Sequence, residues 1–449
     1  MTKPAGTMIA AGERHPAADA GAAPFANSMS RLLTWGLARD GRLVIVGALV
    51  VYFSVVASGR LLWGVDVWPS LGVPSGPSIF FDARNLTAAW ESSRLGYDPL
   101  YQSPRDPWKR PLMYLRPWLL LGALGLDQSH TIALAVVLVG AMFASFLWLL
   151  GRVPLGTGIV VAVAACSPAV MFAVERANMD IALFSLTACA LLLWRTVPRR
   201  AAVASPVFVL AGAMAKLYPI FALPAFVVSS SRTAARVASL CVAVFAVYCV
   251  YSLNDIVHVA QIATQGDAYS YGARILPAHL YHQVGADRWA GPAAVKQLLA
   301  AIPLGCLALF IVVRVRRRLG PGQAEGRPTA ASLLALHVGA LIYIGTFATA
   351  NNFDYRLVFL LLTLPQLVAW AAMPRHRLSS LSATTVLSIL VMLWVGSLSE
   401  WLHLWDELAS WIVAGELTAL IAVTVPDASA VRQMVIGSRV AARVDPSQS

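Results

Sequence analysis

The sequence has few charged residues. Only 12% of its 449 residues are Asp, Glu, Lys or Arg, whereas 58% are hydrophobic, and the mean hydropathy is +0.68. Lysine is scarcer still, with only Lys3, Lys109, Lys216 and Lys296 among 34 basic residues. This composition argues against a soluble domain, because the apolar runs recur and have the length of membrane-spanning helices. The runs are Ala/Leu/Val blocks rather than short alternating strands, which excludes a transmembrane barrel.

Several motif classes are also missing. The five cysteines all fall inside apolar runs and no Cys-x-x-Cys pair exists, so neither a disulfide framework nor a zinc site is indicated. The sequence contains no phosphate loop, Rossmann glycine pattern, His-Glu-x-x-His or Asp-x-Asp. These absences argue against a nucleotide-dependent cytoplasmic enzyme, and we expect chemistry without a metal or another cofactor.

The apolar runs predict an all-α, polytopic membrane protein with about 12 transmembrane helices, in the range of roughly 10–12. The predicted helices cover residues 43–63, 130–150, 153–174, 179–195, 201–214, 216–230, 235–253, 295–314, 329–349, 356–373, 380–398 and 409–425. Together they define a transmembrane domain over residues 43–425. Residues 1–42 are predicted to form a disordered cytoplasmic tail, and residues 426–449 a second cytoplasmic tail.

The net charge of +12 comes from arginines in alternate loops, where cytoplasmic loops of membrane proteins concentrate them. With an even number of helices, all of these groups and both termini lie on the cytoplasmic side. The pattern therefore predicts contact with membrane lipids and no nucleic-acid partner. The arginine groups are Arg31, Arg39 and Arg42; Arg152; Arg195, Arg199 and Arg200; Arg232 and Arg236; Arg314, Arg316, Arg317 and Arg318; Arg375 and Arg377; Arg432, Arg439 and Arg443.

The helices at 201–214 and 216–230 are short for a span and contain prolines, so a bent or re-entrant pair is an alternative to two full spans. Either choice leaves the orientation of the later helices unchanged. Three outer segments follow from this topology: residues 64–129, a second long segment over 254–294, and an interfacial helix at 399–405.

Four polar groups share the predicted outer face, and no cytoplasmic loop has a comparable mixture of acids, bases and amides. Ionisable groups near a bilayer usually mark a functional site, so we take these groups as its candidates. They lie around Asp82, at 175–180, at 216–219 and at 351–356. The candidate site residues are Asp82, Glu175, Arg176, Asn178, Asp180, Lys216, Tyr218, Asp354, Tyr355 and Arg356.

Each group also has a purely structural interpretation. Asp82 is suited to cap the helix that follows it, which is predicted to end at Arg94. Glu175 and Arg176 can pair with each other or with a neighbouring helix. Asp354 and Arg356 are spaced for a local ion pair, and Lys216 can extend its aliphatic stem to the membrane interface. None of these interpretations explains why all four groups share one face.

The residue types suit transfer from a phosphate-linked lipid. Arginine and lysine bind phosphate oxygens, and a nearby carboxylate can accept a proton from an attacking hydroxyl group. Aromatic residues in the outer segments offer surfaces on which sugar rings can stack, although interfacial aromatics are common in any case. They are Tyr101, Tyr114, Tyr269, Tyr271, Tyr281 and Trp289.

The combination of a long outer loop with an aspartate, a Glu-Arg-x-Asn-x-Asp junction and a Lys-x-Tyr-Pro element resembles the GT-C glycosyltransferases. It is most similar to glycosyltransferase family 87, the polyprenyl-phosphate-mannose-dependent mannosyltransferases, over residues 43–425. The resemblance implies a polyprenyl-phosphate-sugar donor, a glycolipid or glycan acceptor and inversion at the anomeric carbon. Two positions depart from the family pattern: Leu86 replaces a tyrosine, and Leu115-Arg116 interrupts a Tyr-Pro-Pro element.

Carried over residue by residue, the resemblance makes Asp82 the general base and Lys216 a phosphate contact. It matches Glu175 and Asn178 to an acidic-x-x-Asn element. Asp66 and Asp98 remain alternative bases in the same outer loop.

We therefore expect an integral-membrane hexosyltransferase in the cytoplasmic membrane, with its active site facing the periplasm or the exterior. The alternative is a transporter, flippase or polymerase of lipid-linked saccharides, whose charged residues would line a path through the membrane. A catalytically inactive relative that acts as a structural subunit is a further possibility.

Overall fold

The computed structural model describes residues 40–229, 231–263, 269–277, 302, 313–314, 329–349, 351–396 and 403–425, and these are mostly helical. The α-helices are Arg42–Leu62 (α1), Phe81–Arg94 (α2), Thr131–Leu150 (α3), Leu155–Ala165 (α4), Pro168–Arg176 (α5), Met179–Thr196 (α6), Pro198–Ala215 (α7), Leu223–Val227 (α8), Arg232–Tyr251 (α9), Leu253–Ile262 (α10), Ala330–Thr349 (α11), Leu364–Ala371 (α12), Ser379–Val395 (α13) and His403–Thr424 (α14). The 3₁₀ segments are Pro69–Leu71, Arg116–Leu124, Gln128–His130, Tyr218–Ala222 and Asp354–Leu362. Two strands, Ser270–Tyr271 (β1) and Asn352–Phe353 (β2), complete the set.

Within these residues, six helices are long and apolar enough to cross a membrane. They are Arg42–Leu62, Gln128–Leu150, Met179–Thr196, Arg232–Tyr251, Ala330–Thr349 and Leu404–Thr424. The total rises to eight if each of two bent pairs is one span: α4 with α5, and Asp354–Leu362 with α12. The prediction of a mostly helical chain with several helices able to span a membrane is confirmed, and the described residues contain six to eight of them rather than about 12. Most of the predicted helix 295–314 lies outside the described residues.

The two bent pairs each change direction by 55° at a short break. In the first, the Ser167 hydroxyl accepts a hydrogen bond from the Val170 amide and so caps α5, which begins at Pro168. Proline is tolerated at a first helical position because its missing N–H would have no partner there, but it cannot continue the preceding helix. The second pair breaks at Thr363, just before Pro365.

The segment predicted as a helix at 216–230 is shorter in the structure. It consists of the 3₁₀ turn Tyr218–Ala222 and the five-residue helix α8. About 20 residues are needed to cross a bilayer as a helix, so this segment does not qualify as a full span. The alternative of two full spans over residues 201–230 is therefore not supported, because the second helical segment, Tyr218–Val227, is too short.

The last helix begins earlier than the sequence predicts. Helix α14 starts at His403 instead of residue 409, so Trp405 belongs to it. Residues 403–405 of the predicted interfacial helix at 399–405 therefore belong to α14 and not to a separate helix. Its residues 399–402 lie outside the described part of the chain.

Burial distinguishes central helices from peripheral ones. Helix α6 packs against α3 and α7 and is half buried, whereas α1 and α9 are only 17% buried over their apolar windows. Their exposed side chains are valines and leucines such as Val51, Leu240 and Val247. Water does not favour such surfaces, whereas lipid accepts them, in agreement with helices on the periphery of a membrane bundle.

One short antiparallel ladder ties together segments that are distant in the sequence. Strand β1 pairs with β2 in the register Ser270 to Phe353 and Tyr271 to Asn352. The Ala273 amide donates to the Phe347 carbonyl at 2.8 Å, and the Tyr271 hydroxyl lies 2.8 Å from the Thr346 hydroxyl. These contacts fix residues 269–277 against the C-terminal end of α11.

Candidate functional site

The polar junction at 175–180 is built by two helix ends. Helix α5 ends at Arg176, and Ala177 takes a left-handed conformation with φ 44° while its N–H donates to the Val174 carbonyl. Such a residue commonly ends a helix because it lets the next amides reach back to free carbonyls. Asn178 then caps α6, its side-chain oxygen accepting from the Asp180 amide at 2.9 Å. The junction therefore turns polar side chains toward one end of the bundle.

Asp82 lies against this junction, 94 to 96 residues away in sequence. Its carboxylate accepts hydrogen bonds from Asn178 Nδ2 at 2.6 Å and from an Arg176 terminal guanidinium nitrogen at 3.3 Å. Asp82 is the second residue of α2, after the N-cap position, and its side chain makes no capping hydrogen bond. The interpretation of Asp82 as the N-cap of this helix is therefore wrong. Asp82 is instead held between two donors from the junction.

Glu175 has a different place from the one predicted. Its Oε1 accepts from the Gly76 amide at 2.9 Å, and its backbone carbonyl accepts from the Phe80 amide at 3.2 Å. It does not line the cavity described below, and Arg176 pairs with Asp82 rather than with Glu175. Of the two structural interpretations, the mutual pair does not form, whereas Arg176 does pair with the neighbouring helix α2 through Asp82. Glu175 holds the loop that leads into α2 and so positions Asp82.

Lys216 points inward. Its ammonium group donates to Asp180 Oδ1 at 2.5 Å and to Asn178 Oδ1 at 3.3 Å, and the side chain is only 14% exposed. Three tyrosine rings surround it at 5.3–5.9 Å from their centroids, close enough for cation–π attraction; they belong to Tyr114, Tyr218 and Tyr355. The interpretation in which Lys216 extends its stem to the membrane interface is therefore wrong.

Arg356 continues the same network. Its Nε lies 3.5 Å from Asp180 Oδ2, and a terminal guanidinium nitrogen donates to the side-chain oxygen of Asn352. It pairs with Asp180 and not with Asp354, so the interpretation of Asp354 and Arg356 as a local ion pair is wrong. Asp354 is buried, its amide donates to the Tyr269 carbonyl, and it does not line the cavity.

The structure thus joins all four polar groups of the sequence into one network. Its order is Arg176, Asp82, Asn178, Lys216, Asp180, Arg356 and Asn352, each in contact with the next. Asp180 is fully buried, and it shares its two oxygens between Lys216 and Arg356. A buried carboxylate between two cations lowers the cost of keeping both charged away from water.

This network borders a cavity of about 1270 Å³. Its polar lining includes Asp82, Arg110, Arg176, Asn178, Lys216, Asn352 and Arg356. Its apolar lining comes mainly from the segment 218–222, α9 and α10, and includes Ile220, Phe221, Phe245, Ile256 and Val259. The cavity is therefore amphipathic, large enough for an extended ligand, and suited to a molecule with a charged part and an apolar part.

Tyr114 lines the cavity beside the network. Asn178 Nδ2 lies 3.5 Å from its hydroxyl group, and burial raises the pKa of Tyr114 well above its ordinary value. The phenol therefore stays protonated at neutral pH and keeps a hydrogen-bond donor available at the polar part of the cavity.

The two alternative bases lie elsewhere. Asp66 accepts from the Trp68 amide on an exposed loop, and Asp98 forms an exposed ion pair with Arg116 at 2.9 Å. Neither lines the cavity, whereas Asp82 does. Of the aromatic residues predicted to stack on sugars, Tyr281 and Trp289 lie outside the described residues, and only Tyr114 lines the cavity among the others.

Sequence reasoning missed two cavity arginines, Arg110 and Arg274. Arg110 pairs with the buried Asp106 at 2.8 Å. Arg274 lies in the segment fixed by the β1–β2 ladder. The sequence does contain a signal for both residues: each arginine lies in a predicted outer segment, whereas arginine is usually enriched on the cytoplasmic side.

In the described part of the chain, no group of three or more His, Cys, Asp or Glu side chains is arranged to hold a metal ion.

Comparisons of the chain with protein-family models, with curated proteins and with solved structures find no match.

Proposed function

We propose that the chain is an integral-membrane glycosyltransferase. It transfers a sugar, mannose or a similar hexose, from a polyprenyl-phosphate donor to a glycolipid or glycan acceptor. The observation that carries this proposal is the presence of Asp82 in an amphipathic cavity together with Arg176, Lys216 and Arg356. A carboxylate, several cations and an apolar wall are the groups that a lipid-phosphate sugar donor requires.

The proposed setting is the cytoplasmic membrane, with a GT-C-like arrangement of about 12 spans, in the range of roughly 10–12. The cavity opens toward the periplasm or the exterior, and both tails are cytoplasmic. The arginines of alternate loops support this orientation, since Arg42, Arg152 and Arg195 all lie near the helix ends away from the cavity.

The proposed reaction is a direct displacement. Asp82 accepts the proton of the acceptor hydroxyl as its oxygen attacks the anomeric carbon, and the bond from that carbon to the phosphate oxygen breaks with inversion. The leaving polyprenyl phosphate takes the electron pair of that bond. Lys216, Arg176 and Arg356 stabilise the negative charge on the phosphate through preorganised electrostatics. The chemistry proposed for these side chains uses no metal or other cofactor.

The contacts of Asp82 support its assignment as the base. Arg176 and Asn178 hold the carboxylate in one orientation, and its side chain remains 13% exposed. A general base must be fixed within hydrogen-bond reach of the proton it removes, so a held but accessible carboxylate suits this role.

The test is the substitution Asp82→Asn, with transfer measured from a polyprenyl-phosphate sugar by the purified protein. General-base catalysis contributes about 10²–10⁴-fold, so we expect turnover to fall by at least about that lower bound. Asp66→Asn and Asp98→Asn are matched controls on exposed parts of the same loop and should retain turnover. Near-wild-type turnover of Asp82→Asn at normal protein levels would exclude Asp82 as the base.

The same assay separates transfer from transport. A transferase forms a new glycosidic bond, which mass spectrometry detects as an acceptor heavier by one hexose. A transporter, flippase or polymerase acting on intact lipid-linked saccharides would give no such product from a polyprenyl-phosphate monosaccharide and a simple acceptor.

A further inference from the structure

We infer that Arg274 binds the phosphate group of the lipid-linked donor. This inference rests on the proposed function and names a residue that neither the sequence motifs nor the family resemblance assigns. Four observations support it: the fixed position of Arg274, its exposure in the cavity, its lack of an anionic partner, and the charge balance of the cavity lining.

Arg274 has a fixed position despite lying on a connecting segment. Strand β1 ends three residues before it, and the Ala273 amide, next to it in the chain, donates to the Phe347 carbonyl at 2.8 Å. On its other side, Ile275 is 3% exposed and also lines the cavity. A backbone hydrogen bond on one side and a buried side chain on the other therefore hold the arginine at the cavity wall.

The guanidinium group of Arg274 is available. The residue is exposed, in contrast to the half-buried Arg176 and Arg356. Among the residues that the structure describes, no carboxylate pairs with it, although every other cation of the cavity lining has such a partner.

The cavity lining has an excess of positive charge. Five cationic side chains border it: Arg110, Arg176, Lys216, Arg274 and Arg356. Only three carboxylates pair with them. Asp106 pairs with Arg110, Asp82 with Arg176, and Asp180 serves both Lys216 and Arg356. The lining is therefore two negative charges short of balance.

A phosphate monoester is an anion of the right size and charge to correct this imbalance. The donor phosphate has one negative charge while it links the sugar, and a second develops when the sugar leaves. Arginine suits this group because its planar fork forms two parallel hydrogen bonds to phosphate oxygens. Because the second charge appears only as the bond breaks, the unmatched cations favour the leaving state over the bound donor.

The experiment measures binding of a polyprenyl phosphate and of the matching uncharged polyprenol to the full-length protein in detergent micelles. In the wild type we expect the phosphate to bind more tightly than the alcohol. In Arg274→Gln, polyprenyl phosphate should bind about tenfold more weakly, while the affinity for polyprenol stays unchanged. Arg274→Lys should lie between the two, since it retains the charge but lacks the fork.

Arg105→Gln is the matched control, because Arg105 is an exposed arginine of the first outer loop that does not line the cavity. It should bind both ligands as the wild type does. If Arg274→Gln keeps the wild-type preference for phosphate over alcohol, the inference about Arg274 is overturned while the proposed function stands. If the wild type itself shows no such preference, the proposed lipid-phosphate donor fails as well.

Inorganic phosphate provides the last comparison. Because the cavity combines cations with an apolar wall, polyprenyl phosphate should bind to the protein far more tightly than inorganic phosphate. Equal affinity for inorganic phosphate would contradict the assignment of the site to a lipid headgroup.

Discussion

The side-chain amide of Asn178 donates to the carboxylate of Asp82 over 2.6 Å, while its oxygen accepts from Lys216 at 3.3 Å. One amide thus connects the proposed base with a cation of the cavity and also caps helix α6. Because Asn178 combines a donor, an acceptor and a cap, single substitutions can separate these roles.

Asn178→Asp and Asn178→Ser should separate capping from catalysis. Aspartate and serine are both good N-cap residues, so the free energy of unfolding should change by no more than about 1 kcal/mol in Asn178→Ser. Asn178→Asp should be less stable than Asn178→Ser, because it buries a second carboxylate beside Asp82. Neither retains the N–H donor to Asp82, and aspartate adds a like charge beside it. We expect turnover to fall by about 10²-fold in Asn178→Asp and by less in Asn178→Ser. Turnover in the transfer assay and thermal unfolding in detergent test this, and equal activity of the aspartate variant would contradict it.

Asp180 should contribute to stability by serving two cations. Its side chain is fully buried between Lys216 and Arg356, so Asp180→Asn leaves two buried positive charges without a full counter-charge. Removing one partner of a buried ion pair costs about 3–5 kcal/mol. We expect a fall in unfolding free energy of that order, measured by denaturation in detergent.

The control for Asp180 is a double-mutant cycle with Lys216→Met. Removing the lysine removes one of the stranded charges, so the double variant should be less destabilised than the sum of the two single variants. Strict additivity would show that the two side chains do not interact energetically.

Glu175 should act by positioning the first outer loop. Glu175→Ala removes the acceptor of the Gly76 amide, whereas Glu175→Gln keeps an oxygen at the same place. We expect faster hydrogen exchange over residues 72–80 in the alanine variant, together with lower turnover, because Asp82 follows directly. The glutamine variant should resemble the wild type in both measurements. A glutamine variant as inactive as the alanine variant would instead indicate that the charge itself takes part.

The arrangement of the polar groups could largely be predicted from sequence because it depends on topology. Hydropathy and the arginines of alternate loops assign Asp82, Lys216 and Arg356 to one end of the helices, and the structure brings them together around one cavity. What spacing could not predict is the choice of partners. Arg176 has an acidic neighbour in the chain, yet it pairs with Asp82, 94 residues away.

Two further errors have physical causes. The length of a helix depends on packing as well as hydropathy, so α14 extends through the charged Asp406 and Glu407, both of which are buried. The sequence did not predict Arg274 as a cavity residue, because an arginine in a loop usually lies in water. Only the β1–β2 ladder, formed by residues about eighty positions apart, brings it to the cavity.

That ladder also determines when the site can form during biosynthesis. Residues 270–271 find their partners only after residues 352–353 have been made, and Arg356 joins Asp180 later still. Until then the nascent chain contains Asp82, Arg176 and Lys216 without the last cation of their network. A ribosome-bound fragment that ends before residue 351 therefore has an unfinished cavity, and the segment from residue 351 onward completes a site whose first residues are made much earlier.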